Sequence, residues 1–156
     1  MKHENLLPLA GEWGYARPMT HPNLALASRF IAAIEAGDID AVAAIYAPDA
    51  RIWLNTNGID FPGQTVAENL KVLAWMDRFL KDKRYEIVAR SPTETGFVQQ
   101  HVLRATIAAT GEAYAMPVCM VCTLVDGRIT RLDEYMDSAH VAPLTAAAEA
   151  QRAKKA

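Results

Sequence analysis

Apolar residues recur at three- and four-residue spacing in the N-terminal half of the chain and at every second position in much of the C-terminal half. The first spacing marks helices, the second half-buried strands. Leu24, Ala27, Phe30, Ile31 and Ile34 make one stripe of a helix that begins near Pro22–Asn23. Gly37 is placed to end it as a C-cap. Asp38 is placed to cap a second, shorter helix containing Ile39, Val42, Ile45 and Tyr46, with Pro48 as its stop. A third helix is predicted over 66–81, from Leu70, Leu73, Ala74, Met76 and Leu80. Its closing Lys81-Asp82-Lys83-Arg84 run reads as a solvated face that puts cations near the helix C-terminus.

Residues 50–54 (Ala-Arg-Ile-Trp-Leu) predict a strand between the second and third helices. Four more strands are predicted over 85–90, 97–108, 113–125 and 128–137. Thr110-Gly111 joins the middle pair, and Asp126-Gly127 is a strong hairpin signal for the last. The order is helix, helix, strand, helix, then an antiparallel meander: an α+β chain. Residues 1–22 form an N-terminal arm broken by Pro8, Gly11, Gly14, Pro18 and Pro22. Its Trp13 and Tyr15 want a surface to cover: the domain itself, the mouth of a pocket, or a second copy. The domain proper is expected over 23–144. An Ala-rich tail over 145–156, with Thr145 as a cap, reads as a short helix.

Length and composition narrow the classes. One domain is expected from 156 residues, and a domain of that size buries roughly 70% of its unfolded surface without a metal or disulfide staple. The chain is 51% hydrophobic and 22% charged, with a formal net charge of −2, so no basic surface for nucleic acid is implied. No apolar run approaches the roughly 20 residues of a membrane span, and the start lacks a signal-peptide core. A cytoplasmic protein is expected. Two cysteines do not make a disulfide scaffold.

Strand parity then isolates candidate chemistry. On the last strand Arg131, Asp133 and Asp137 share a charged face, which leaves Glu134 on the apolar side between Leu132 and Met136. A carboxyl group there must be paired or neutral, and burial raises its pKa toward the range of a general acid or base. His101 has the same position between Gln99 and Leu103. A satisfied core polar group is the plain alternative for each, but two such groups on one meander favour a shared site. Met116, Val118 and Met120 share the inward face of the neighbouring strand. Cys119 and Cys122 are three apart on a strand, so their thiols diverge, and no second pair completes a zinc site. Asp133 and Asp137 likewise diverge from Glu134 and suggest no metal. No Gly-rich phosphate loop, nucleophile elbow or HExxH motif occurs, so no cofactor is expected.

Three phrases in order resemble the SnoaL-like branch of the nuclear transport factor 2-like superfamily. They are AIEAGDIDAVAAIYAPDARI at 32–52, GQTVAENLKVL at 63–73 and VDGRITRLDEYMD at 125–137. The resemblance covers roughly residues 23–144. It implies a cone: a strongly curved antiparallel sheet against three N-terminal helices, enclosing an apolar pocket, with homodimers through the outer sheet face. In this chain Val98, Val102, Cys119 and Val121 fall on that face. The superfamily hosts ketosteroid isomerases, polyketide cyclases, dehydratases, limonene-type epoxide hydrolases and non-catalytic domains, so fold alone does not give function. At positions where the epoxide hydrolases carry an Arg and an Asp two apart on one strand and an Asp on the last, this chain reads Gln99, His101 and Glu134. Trp53 and Asn55 stand for the water-holding pair, though Trp53 also suits a core and Asn55 a turn.

The resemblance and the residues together imply a cofactor-independent acid–base enzyme of the isomerase, lyase or cyclase type. Its substrate is expected to be a small, apolar, cyclic or aromatic molecule. Glu134 would take a proton and His101 would donate or relay one. Trp53, Asn55 and Gln99 would orient substrate or water, and Leu103, Met116, Val118, Met120 and Met136 would form the adaptable apolar wall. Limonene-type epoxide hydrolysis ranks below this, and a non-catalytic ligand-binding or dimerisation module is the alternative of another class.

Overall fold

A computed structural model describes residues 21–153. The arm with Trp13 and Tyr15 lies outside the described residues. Helix α1 (Pro22–Ala36) opens under His21, whose ring accepts from the Asn23 N–H, and closes on Gly37 at φ 68°, whose N–H turns back to the Ala33 and Ile34 carbonyls. Helix α2 (Ile39–Ile45) follows at once, with the Asp38 carboxylate accepting from the Ala41 N–H at 2.9 Å. Both caps follow the sequence expectation.

Strand β1 (Tyr46–Leu54) starts earlier than expected. Tyr46, read as the last turn of α2, is already extended at φ −76° and ψ 145°. Pro48 accounts for the early stop, because it offers no N–H to the Ala44 carbonyl and biases Ala47 toward extended backbone, so the helix cannot run on past Tyr46. A short 3-10 turn (Asn55–Asn57) ends the strand. Helix α3 (Val66–Phe79) is set by a full capping box, Thr65 with Glu68.

The expected helix end at Lys81 is corrected. Strand β2 (Leu80–Thr93) begins directly after Phe79, with an irregularity between Lys81 and Arg84 and Asp82 at φ 54°. The Lys81–Arg84 run is therefore not wholly a solvated helix face. Lys83 turns inward, with its side chain only 7% exposed. Its ammonium pairs with Asp77 and donates to the Ile34 carbonyl at 2.9 Å. That carbonyl belongs to the last turn of α1 and also accepts from the Gly37 N–H at 3.2 Å, so the cation takes its second lone pair and fits the helix dipole.

Strands β3 (Gly96–Ile107), β4 (Ala113–Val125) and β5 (Arg128–Met136) complete the antiparallel meander. Asp126 and Gly127 both take positive φ between β4 and β5, as a tight hairpin requires. The sheet order is β1-β5-β4-β3-β2, and β1 joins β5 in parallel, so the sheet is mixed at that edge. After a second 3-10 turn (Ser138–His140), helix α4 (Ala142–Ala153) buries Leu144, Ala147 and Ala148. The fold is the expected α+β arrangement of a curved sheet with helices on its inner face.

Two apolar clusters result. One joins α1 and α2 to Phe97, Met120, Ile129 and Leu132 of the sheet. The other joins Leu103, Met116 and Val118 to Leu144 and Ala147 of α4, with Trp75 and Met76 of α3 against it. Cys119 and Cys122 are free and on opposite faces, as parity requires. No helix among the described residues is long and apolar enough to cross a membrane.

Gly96 starts β3 where a neighbouring strand comes too close for a side chain. A β-carbon there would lie 1.9 Å from the Cys122 carbonyl oxygen. Gly96→Ala is therefore expected to cost about 3 kcal/mol or more, since the colliding atom is backbone of a paired strand. Urea unfolding of the variant against the parent measures this.

Candidate active site

The inner face of the sheet and helices α1, α3 and α4 leave a cavity of about 170 Å³ between the two clusters. An apolar cavity of roughly 150 Å³ already holds one benzene ring, so the space suits a single-ring molecule. The wall is mostly aliphatic and aromatic. Its polar members are Tyr46, Thr56, Asn69, Tyr85, His101 and Glu134.

Strand register explains how Glu134 and His101 reach the cavity. One row across the sheet reads Leu54, Glu134, Met120, Gln99, Arg90. The next reads Met136, Val118, His101, Ile87. Glu134 and His101 thus share the concave face but stand on β5 and β3, with β4 between them. Two strand spacings and a two-residue offset separate their backbones by about 12 Å in a flat sheet. No hydrogen bond joins the two side chains among the described residues. They face a common space rather than one another.

Among the described residues Glu134 makes no ion pair, and no Lys or Arg lines the cavity. It is half-buried by surface area, and the surface it keeps opens on the cavity. Burial raises its pKa to about 7. His101 is 2% exposed. Its pKa is lowered to about 4, first by burial and then by the nearby Arg90 charge. Its Nδ1 lies 3.0 Å from the Gln99 amide nitrogen, while its Nε2 is buried with no partner among the described residues. An unpaired buried donor or acceptor costs about 1–3 kcal/mol, a cost that a ligand able to pair with it removes.

Leu103, Met116, Val118, Met120 and Met136 all line the cavity. Three other expected site residues do not. Gln99 is wholly buried behind His101, where it contacts that ring and Arg90. Trp53 faces the outer side, its indole N–H donating to the Gly58 carbonyl at 3.1 Å and its ring edge-on to Tyr135. Asn55 clamps the end of β5, donating to the Met136 carbonyl at 2.8 Å and accepting from the Met136 N–H at 3.1 Å. The expected substrate contacts of Trp53 and Asn55 do not fall on this cavity. Ile52 and Leu54 point inward on β1, so Trp53 between them points out, while Asn55 opens the 3-10 turn and is spent on Met136.

Tyr46, Asn69 and Tyr85 were not expected at the site. The Tyr46 hydroxyl donates to the Asn69 carbonyl oxygen at 3.2 Å, and the Asn69 amide donates to Gln64 at 3.3 Å. The Tyr85 ring stands 5.0 Å from the His101 ring. Burial, with Glu134 among the nearby negative charges, raises both phenols well above their ordinary range. Both remain neutral donors across the working pH range. Among the described residues no group of three His, Cys, Asp or Glu side chains is placed to hold a metal ion.

Comparison with known proteins agrees with the fold. The model of the SnoaL-like domain matches residues 27–132. No functionally curated protein sequence matches the chain. Among solved structures, PrhC from Penicillium brasilianum is similar at TM-score 0.73 and 15% identity, covering 85% of this chain and 91% of its own. An epoxide hydrolase from M. tuberculosis, described as LEH-like, is similar at TM-score 0.63 and 18% identity, over 76% of this chain and 85% of its own. A candidate polyketide cyclase from Xanthomonas campestris is similar at TM-score 0.65 and 22% identity, over 76% of this chain and 92% of its own.

The raised pKa of Glu134 carries a stability consequence. The folded state holds a proton that the unfolded chain releases above about 4.5, so stability falls as pH rises from there to about 7 and then levels. His101 works in the opposite sense, losing stability as pH falls from 6.5 to about 4. Glu134→Gln removes the first effect alone. Its stability relative to the parent is expected to rise between about pH 4 and pH 8 by roughly 3 kcal/mol. Urea unfolding at the two pH values measures the difference.

Proposed function

The chain belongs to the SnoaL-like domain family, and from that premise we propose that it is a cofactor-independent acid–base enzyme of the isomerase, lyase or cyclase type. The substrate is a small, apolar, single-ring carbonyl compound held in the cavity. One observation carries the reading: a carboxyl with a pKa near 7 and no ion-pair partner among the described residues, on the wall of a mostly apolar cavity. A general base works best when its pKa lies near the operating pH.

Glu134 takes a proton from carbon next to the carbonyl. The electron pair moves to the carbonyl oxygen, which becomes an enolate. His101 and Tyr85, across the cavity, donate hydrogen bonds to that oxygen. Glu134 then returns the proton to another carbon, or the enolate expels a leaving group or closes a ring. All three outcomes share the first step. The water-excluded wall strengthens each interaction and keeps the intermediate from side reactions.

Epoxide hydrolysis is the second reading, favoured by the likeness of fold to the M. tuberculosis protein. Against it, Trp53 and Asn55 point away from the cavity, so the expected water-holding pair is missing.

The test is hydrogen exchange between single-ring ketones and deuterated water, followed by proton NMR. Exchange is expected with the parent protein. It should rise with pH and level above about 7, and fall about 100- to 10,000-fold in Glu134→Gln. Solvent-oxygen incorporation into epoxides, without ketone exchange, would move the assignment to hydrolysis. Ketone binding without exchange would make the chain a binding module.

A further inference from the structure

His101 is reached by a chain of hydrogen bonds whose direction is fixed at every link. The Ser28 hydroxyl donates to the Leu24 carbonyl of α1 at 3.1 Å. It therefore accepts from Arg90 Nη1 at 2.7 Å. Arg90 Nε lies 2.6 Å from the Gln99 oxygen Oε1. A guanidinium can only donate, so the Gln99 amide must turn its oxygen to Arg90 and its NH2 to His101. That NH2 can also only donate. At 3.0 Å it therefore takes the lone pair of His101 Nδ1. A neutral imidazole carries one proton, and the only place left for it is Nε2. This nitrogen is buried, has no partner among the described residues, and belongs to a ring that lines the cavity.

We propose that Arg90 and Gln99 are positioning residues that lock His101 as the neutral Nε2–H tautomer, aimed at an acceptor oxygen of the ligand. This rests on the reading of the cavity as an acid–base site and narrows it. His101 has no free lone pair, so it is a hydrogen-bond donor and not a base. Glu134 is left as the base. The ligand must present an acceptor oxygen, such as a carbonyl, on the His101 side and a removable C–H on the Glu134 side. The same geometry opposes the imidazolium form, because a proton on Nδ1 would face the Gln99 NH2 donor to donor. Gln99 thus has a role that no contact with substrate would reveal. Among the described residues it is also the one side-chain amide with no exposure at all, and packing alone does not call for a polar group there.

The experiment is a long-range proton–nitrogen NMR correlation on the full chain with nitrogen-15 histidine, without ligand, at neutral pH. The His101 signal is assigned by its loss in His101→Gln. The expected result is an unprotonated Nδ1 and a protonated Nε2. A protonated Nδ1, or rapid averaging of the two nitrogens, overturns the proposal. Gln99→Glu supplies a second readout, because a carboxylate accepts where the amide donated. It is expected to move the proton to Nδ1 and to lower kcat/KM for ketone exchange at least tenfold, with KM changed less than kcat. Arg90→Ala, which frees the amide to turn over, should mix the tautomers, and Arg90→Lys should restore a single one. An unchanged tautomer in both Gln99→Glu and Arg90→Ala overturns the proposal. The two readings fail separately. The expected tautomer with no ketone exchange defeats the enzyme and leaves the lock. Exchange with a protonated Nδ1 defeats the lock and leaves the enzyme.

Discussion

A carboxyl group taken out of water has to be paired or stay neutral, and much of the site follows from how this fold treats Glu134. Its own row of the sheet offers Leu54 on one side and Met120 on the other. The cation in that row is Arg90, three strands away, about 14 Å at ordinary strand spacing. Gln99 lies between and takes the Arg90 Nε–H for itself. Among the described residues Glu134 is therefore left without a counter-charge, and burial alone moves its pKa to about 7. Pairing would have held it ionised and weakly basic. Isolation makes it a group that can hold or release a proton at neutral pH.

His101 is treated in the opposite way. Every polar group behind it is spent in one direction, from Arg90 through Gln99 to Nδ1. Burial and Arg90 together hold its pKa near 4, so it faces the cavity without charge. The cavity thus sets an uncharged donor on β3 against a titratable carboxyl on β5, with the width of β4 between them. The Lys83–Asp77 pair and the Ile34 carbonyl sit at the far end of β2, where they fasten β2 to the ends of α1 and α3.

Much of this was legible in the sequence, and the misses have specific causes. Period-two alternation placed Glu134, His101, Leu103, Met116, Val118, Met120 and Met136 on one face, because β3, β4 and β5 are regular through those residues. Trp53 and Asn55 are candidates by resemblance alone; parity within β1 turns Trp53 outward, and Asn55 lies in the 3-10 turn beyond the strand. A one-residue slip sends a side chain to the other face. Tyr46 was hidden because a helix pattern runs into it and only Pro48 signals the change to strand. Tyr85 sits in a stretch of only four alternating residues, Arg84 to Ile87, between two β2 irregularities, too short to show which face is inward. Asn69 did leave a signal: it stands four residues before Leu73 and seven before Met76, a polar residue on an apolar helical stripe. Lys83 could not be read from its run of charges, because its partners, Asp77 and the Ile34 carbonyl, are supplied by the ends of two helices.

The central claim is that one isolated carboxyl on the cavity wall titrates near neutrality. Carbon-13 NMR of the side-chain carboxyls, followed against pH and assigned with Glu134→Gln, tests it directly. The account predicts that Glu134 titrates at about 7. A midpoint near the ordinary 4.5 would mean that the group is solvated or paired, and would contradict the account.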